Sequence, residues 1–389
     1  MRSTTRKRWR RILWSALHAC LLLFLTYLAW NIPIDRDSGD FLLKLFSASK
    51  ATDVKPDTIP DDLLLVNTSY DRTLVPVYNE MDDTIGQTDI TDRSKLLELC
   101  KFLYQTDSYR YVVCDIRFDG SLKTDADSAL FSLLNRMPRC CVPWSSAMTS
   151  FPRKLIPVAA TSEYITSFLS NDFLKYQYLT ADGESIALRM AGVTDTIHIT
   201  RWGPLYFMDG ALCINSHIVD IETNVSIDNN ANKNYILHLG SDAMPIVEAG
   251  AEEVFRDRIV IIGDCFLNDM HNTVAGPVSG PMIIYNAYKA LVAKRNVPSW
   301  WVWLLVLLVY YLLTLATLCH FEPHDLLRML RLRDKPLLNL LFDWVGFQIL
   351  FTVVALVVYV TAGLYIDAWI CAFYFTVFGK LYLYKTPKR

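Results

Sequence analysis

Three apolar runs in this 389-residue chain each lead into acid. Leu63-Leu64-Leu65-Val66 passes through Asn67-Thr68-Ser69-Tyr70 to Asp71, and Tyr111-Val112-Val113-Cys114 ends on Asp115 with Asp119 behind it. The third, Arg258 to Gly263, ends on Asp264, followed by Asp269 and His271. Carboxylates at strand exits have two uses. They cap the turn by accepting hydrogen bonds from the local backbone, or, where the strands are parallel neighbours, they converge on the crevice at the carboxyl edge of an open α/β sheet, the usual ligand site. Capping is the expectation for Asp119 and Asp269, ligand contact for Asp115 and Asp264, and Asp71 joins them if the strands are adjacent. Like charges held close raise one another's pKa unless Arg93, a cation or a ligand donor neutralises them, so the ligand expected there is small and polar or cationic. His271 stands alone without metal-ligand spacing and is read as a loop residue. No G-x-S-x-G elbow, H-E-x-x-H pair or phosphate-binding glycine loop is present, and Gly240-Ser241-Asp242 is too short to name a nucleophile. No catalytic residue, metal or cofactor is therefore expected.

The elements that must position these residues alternate. Leu63 to Thr68, Tyr111 to Phe118 and Arg258 to Ile262 read as buried strands, with Cys140 to Val142 as another. Leu96, Leu97, Cys100, Leu103 and Tyr104 share the face of a helix that Thr91 or Asp92 can cap, and Ala126, Leu130, Leu133, Leu134 and Met137 mark a second helix over Asp125 to Met137. A third helix is expected from Pro281 to Lys294, after a Gly/Pro-rich loop. This alternation predicts an α/β domain with a mainly parallel or mixed central sheet. Residues 143–234 read as an irregular, β-rich insertion containing a hairpin around Asp209-Gly210. Of the cysteines, Cys100, Cys114, Cys140, Cys141, Cys213 and Cys265 fall in this domain. Their even number fits a disulfide framework, while the apolar contexts of Cys114 and Cys265 fit plain packing.

Membrane segments frame the domain. The chain is 52% hydrophobic, and four runs, 12–30, 299–319, 341–366 and 367–384, approach the ~20 apolar residues that a helix needs to cross a bilayer core. Trp14, Trp30, Trp300, Trp301, Trp303, Trp344 and Trp369 lie near their ends, as interfacial aromatics do. Lys380, inside the last run, is expected to snorkel to the surface, and no charge pair is expected within the spans. Basic residues cluster in 1–11, in the loop 320–340 and in the tail 385–389, which places all three in the cytoplasm and exports 31–298. The first run is longer than a signal-peptide core and no A-x-A site follows it, so an uncleaved anchor is expected. A juxtamembrane helix carrying Phe41, Leu42, Leu45 and Phe46 and a linker over Lys55 to Pro60 should follow it, and Leu326, Leu327, Leu330, Arg328 and Arg331 can form a basic amphipathic helix in the loop. The net charge of −2 argues against a nucleic-acid partner, because topology accounts for most basic residues.

One anchor, a large exported domain and three closing spans resemble the type-two CHASE domain, a bacterial extracellular sensory domain. Phe255-Arg256-Asp257-Arg258-Ile259-Val260-Ile261-Ile262-Gly263-Asp264, then Asp269, Gly276-Pro277, Gly280-Pro281 and Asn286-Ala287, are similar to that family's strand, turn, acidic loop and Pro/Gly approach to a helix. Val112 to Phe118 and Asp125-Ala126-Asp127 with Leu130 resemble its preceding strand and helix start. The chain departs from the family over Tyr70 to Arg93, where only Asp71 and Arg93 match, and it reaches Arg389 with no kinase, cyclase or phosphatase. The resemblance implies a sensor or ligand-binding protein of the bacterial inner membrane. Its expected partners are the lipid bilayer, a small polar or cationic ligand, and a separate signalling or envelope protein. A structural or assembly protein of the envelope is the alternative, and an envelope hydrolase is the weakest reading. If the basic flanks set the topology, alkaline phosphatase fused after Pro298 will be active and the same fusion after Arg389 inactive. An active C-terminal fusion would remove the fourth span.

Overall fold

The structure, a computed structural model, describes residues 2–31, 60–78, 83–118, 122–146, 148, 152–161, 164–166, 173–224, 235–273, 276–319 and 336–385. The juxtamembrane helix, the linker, the basic loop up to residue 335 and Asp119 lie outside them. Helix α1 (Arg2–Asn31) precedes strand β1 (Leu63–Asn67) and a ribbon of β2 (Arg72–Tyr78) and β3 (Thr84–Thr91). Next come α2 (Arg93–Thr106), β4 (Tyr111–Asp115), α3 (Asp127–Leu134), β5 (Cys140–Trp144), β6 (Ala159–Thr161), β7 (Tyr164–Thr166) and β8 (Phe173–Gln177). The chain continues through α4 (Ile186–Thr194), β9 (Ile199–Trp202), β10 (Leu205–Met208), β11 (Ala211–Cys213), β12 (Ser216–Ile218), β13 (Ile236–His238), α5 (Met244–Glu248) and β14 (Ile259–Gly263). It closes with β15 (Met270–Thr273), β16 (Gly276–Ser279), α6 (Gly280–Val292), α7 (Trp300–Leu318), α8 (Pro336–Ala362) and α9 (Ala368–Lys385).

The central sheet has the order β13-β1-β14-β4-β5-β6, and all five pairings are parallel. Its strands are continuous apolar runs because helices cover both faces. Leu64, Val66, Val112, Cys114, Val260 and Ile262 face one layer, with Leu96, Leu99, Cys100 and Leu103 of α2 and Leu130, Phe131, Leu133 and Leu134 of α3. Leu63, Leu65, Tyr111, Val113, Ile259 and Ile261 face the other, with Ile186 and Met190 of α4 and Met282, Ile283 and Leu291 of α6. The three strands read from the sequence are thus neighbours at the sheet centre. The stretch 143–234 is less of an insertion than its composition indicates. It completes β5, adds β6 to the sheet and supplies α4, capped by Ser185 through Leu188 N at 3.3 Å. The rest of it is β-rich, and the Asp209-Gly210 hairpin forms as read, both residues taking the positive φ (50° and 82°) that such a two-residue turn requires.

Three helices are long and apolar enough to cross a membrane, Arg8–Asn31, Trp300–Leu318 and Leu340–Ala362, and α9 contributes a shorter apolar helix, Ala368–Leu381. They pack around Tyr310, Phe351, Ala355, Tyr359, Ala372 and Phe375. His18 joins the bundle, with Nδ1 at 2.8 Å from Thr314 Oγ1 and Nε2 at 2.5 Å from Tyr374 Oη. Lys380, near the end of that shorter helix, is paired. Its Nζ lies 2.7 Å from a buried Asp343 carboxylate, which pairs the two charges near the ends of their helices. The α8–α9 hairpin sets the two opposite each other, with Asp343 in the first turn of the apolar stretch Leu340–Ala362.

The bundle and the α/β layers meet at Ile214-Asn215-Ser216. Asn215 N donates to Asn31 Oδ1 at the end of α1 (2.7 Å), and Ile214 N donates to Asn296 O ahead of α7 (2.8 Å), so both connections to the bundle are pinned to consecutive residues. The Asn215 side chain, wholly buried, bonds both backbone groups of Leu179 at 2.7 Å. Asn215→Ala will leave those groups buried and unpaired and is expected to cost about 2–3 kcal/mol, read from denaturation of the full chain in detergent. An unchanged midpoint would mean that the joint is held elsewhere.

Candidate functional site

The row Asn67–Gly263–Asp115 closes the carboxyl edge of β1, β14 and β4. From β1 and β4 the chain returns through helices on one face, and from β14 through α6 on the other. Connections that diverge to opposite faces open a crevice at the strand ends between them. Gly263 is required there, since a Cβ would lie 2.9 Å from Pro281 Cγ and 3.2 Å from Asp115 Cβ.

Asp264 is a capping residue. Oδ1 accepts from Leu267 N (2.8 Å) and Phe266 N (3.1 Å) and lies 2.5 Å from Ser69 Oγ, while Oδ2 accepts from Asn268 N (3.0 Å) and Asn268 Nδ2 (3.1 Å). Burial alone would push this carboxyl up, but the Ser69 hydroxyl and the three loop amides together hold it below its usual range. Asn67 extends the stitching. Its Oδ1 accepts from Cys265 N (3.0 Å), and its Nδ2 is 2.9 Å from His238 Nδ1, so one buried amide ties the ends of β1, β13 and β14. Asn67 and Ser69 were missed as site residues; their signal was the polar run directly after an apolar strand, where buried polar groups need partners.

Asp71 is also committed to structure. Oδ1 accepts from Lys95 Nζ (2.7 Å) and Oδ2 from Gly240 N (2.9 Å), which ties the β1 exit to α2 and to the turn after β13. Its hydrogen bond to the Lys95 ammonium holds that lysine above its ordinary pKa. Arg93 does not neutralise the acidic edge as expected. It begins α2 on the face turned toward α3, where its Nε is 3.6 Å from Asp127 Oδ1 and its guanidinium stacks 4.4 Å from the Phe118 ring centroid.

Asp115 differs from both. As a residue it is half-buried, yet its Oδ2 is shielded from solvent and has no hydrogen-bond partner. Burial, and then the nearby Asp269 charge, push its carboxyl well above the ordinary range. Asp269 accepts at its backbone oxygen from Gly280 N (2.8 Å), and its Oδ1 is 2.9 Å from His271 Nε2. Its carboxylate lies where a Gly280 side chain would be, so Gly280 is what lets α6 start here. The structure therefore brings Asp115, Asp264, Asp269 and His271 to one part of the edge, with Asp71 bound up on the β13 side. Among the described residues no group of His, Cys, Asp and Glu side chains could hold a metal ion, and all nine cysteines are free thiols. Chemically the edge offers a protonatable buried acid beside a carboxylate–imidazole pair, suited to a ligand that donates hydrogen bonds or carries positive charge.

The two strand-end aspartates respond oppositely to pH. Asp115, raised above its ordinary 3.8, contributes stability that is fully present below that value and lost as pH rises through the folded-state value. Asp264, lowered, contributes stability present above 3.8 and lost as pH falls through the folded-state value. Asp115→Asn should therefore stabilise the protein at neutral pH and flatten the decline above pH 4, while Asp264→Asn should cost about 2–3 kcal/mol at neutral pH. Melting curves between pH 3 and 8 separate the two, and parallel losses in both variants would contradict these assignments. No family model, curated protein or solved structure matches the chain.

Proposed function

We propose that the chain is a membrane-anchored extracytoplasmic sensor or ligand-binding protein of the type-two CHASE kind, which takes a small polar or cationic ligand at the carboxyl edge of its sheet and acts through a separate protein. Both termini are cytoplasmic, four helices cross the bilayer and the α/β layers are exported. The basic flanks support this topology. So does the joint at Ile214-Asn215, where the exit of α1 and the approach to α7 meet as spans opening on one membrane face require.

The observation that carries the ligand reading is the unpaired, shielded Asp115 Oδ2 beside Asp269 and His271. A buried carboxylate without a donor is costly, and an incoming ammonium or hydroxyl relieves that cost where a structural role would already have supplied a partner. A second reading, an assembly protein of the envelope, draws support from the β2–β3 ribbon, whose Leu74 and Ile85 are exposed.

A graded series of alkyl diammonium ions, added to the full-length protein in nanodiscs at pH 8, tests the proposal. At least one member should raise the melting temperature saturably, by an amount equivalent to about 2.7 kcal/mol at a hundredfold excess over Kd, and Asp115→Asn should abolish the gain. No stabilisation by any member, or equal stabilisation of the variant, would remove the ligand from this edge.

A further inference from the structure

The three-stranded meander β9–β10–β11 has two turns of opposite chemistry. At one end Asp209-Gly210 carries an ion pair, with Lys294 Nζ 3.0 Å from Asp209 Oδ2. At the other, Trp202-Gly203-Pro204-Leu205 has no charged residue, and Trp202 is 74% exposed, the most exposed large apolar side chain among the described residues of the α/β part.

The apolar end is the one against the helix bundle. Tyr27 of α1 donates from Oη to Cys213 O (3.2 Å) and accepts from Tyr206 N (2.8 Å), which extends the ladder from the Tyr206–Cys213 pair. Leu205 and Leu212 pack on the bundle core, and Trp303 in the first turn of α7 stacks near Tyr27, with ring centroids 6.0 Å apart. Tyr27 stands one turn before Asn31. After the basic flank, α1 runs from Ile12 to Asn31, about 30 Å of helix against a hydrocarbon core of ~30 Å, so its last turn reaches the headgroup boundary. Trp202 faces Leu205 across a two-residue turn, one residue from the Tyr27 contact. At this end of the bundle Trp30 lies against Trp303, and Trp300 is exposed.

We propose that the β9–β10 turn is a lipid contact of the α/β domain, with Trp202 seated in the headgroup layer of the bilayer that α1 and α7 cross. The position, the apolar turn and an indole left open beside an aromatic belt all match an interfacial anchor, where the ring is buried and its N–H stays wet. Arg201, exposed beside it, lies at the depth of lipid phosphates and keeps guanidinium donors beyond the one it gives Gly203 O. The contact rests on the reading of α1 and α7 as spans.

Full-length protein and its Trp202→Phe variant, one copy per nanodisc, in phosphatidylcholine with or without acyl chains brominated near the headgroup, decide the matter. The difference emission, wild type minus variant, belongs to Trp202. Brominated lipid should quench about half of it or more, and aqueous iodide should have little effect. Quenching by iodide alone would put Trp202 in water, and quenching by neither would put it against protein; either result overturns the proposal. The remaining tryptophans of the variant serve as the control. If brominated lipid fails to quench them, the spans themselves are misread, whereas quenching of them without quenching of Trp202 removes the turn contact alone.

Discussion

The strand Ile259–Gly263 fills the gap between β1 and β4, and the carboxyl edge exists because it does. Without it, Leu63–Asn67 and Tyr111–Asp115 would be separated by an open lane of unpaired backbone groups, which a buried sheet does not tolerate. The chain closes that lane from β13, far along the sequence, and then turns to the opposite face through α6. Late insertion therefore does two things at once. It completes the hydrogen bonding of the sheet, and it makes the connections diverge to opposite faces at the carboxyl edge, the usual position of a ligand site in such sheets.

That edge uses one residue type in three ways. Asp264 sits among donors supplied by its own loop and by Ser69, so it is ionised and satisfied. Asp71 is matched by a lysine and a backbone amide. Asp115 has neither, although Asp269 beside it has His271. The amino edge makes the contrast plainer, because Arg110 there serves both Asp195 (3.1 Å) and Asp62 (3.8 Å), and Lys289 reaches Asp62 at 4.0 Å. Acid is balanced at the amino end of the sheet, while at the carboxyl end one carboxyl, Asp115, lacks a donor at Oδ2. The mere number of carboxylates would not reveal that difference.

How much of this was legible beforehand depended on the range of the interactions involved. The three central strands, the Asp92 cap of α2 and the Asp209-Gly210 turn declare themselves locally, through continuous apolar runs, a capping side chain and a residue pair that accepts positive φ. Ribbon β2–β3 did not, because its residues are largely exposed and carry no clean alternation. Helix α4 was lost inside a stretch whose composition looked irregular, although Ser185 was its cap. At the site, the acids at the strand ends could be named from the sequence, but their division into satisfied and unsatisfied could not. Partners such as Ser69 for Asp264 and Gly240 for Asp71 come from other strand exits, and the pull of Asp127 on Arg93 depends on how two helices pack.

The joint to the helix bundle follows the same logic of distant polar partners. Asn31, Asn215 and Asn296 are separated by long stretches of chain, yet together they close the backbone of a crossing point that would otherwise bury unpaired groups. Strand β12 begins at this joint and pairs with β8, which meets β15 at Thr273, two residues from His271. Hydrogen-bonded strands thus connect the end of α1 to β15, in which His271, read from the sequence as a loop residue, pairs with Val278. Rigid contacts of this kind transmit a displacement only if the elements have two stable arrangements. At the far end of that path the Asp269 carboxylate is held by His271 and its charge disfavours ionisation of Asp115, so charge at the edge and the strands that reach α1 share one hydrogen-bonded network.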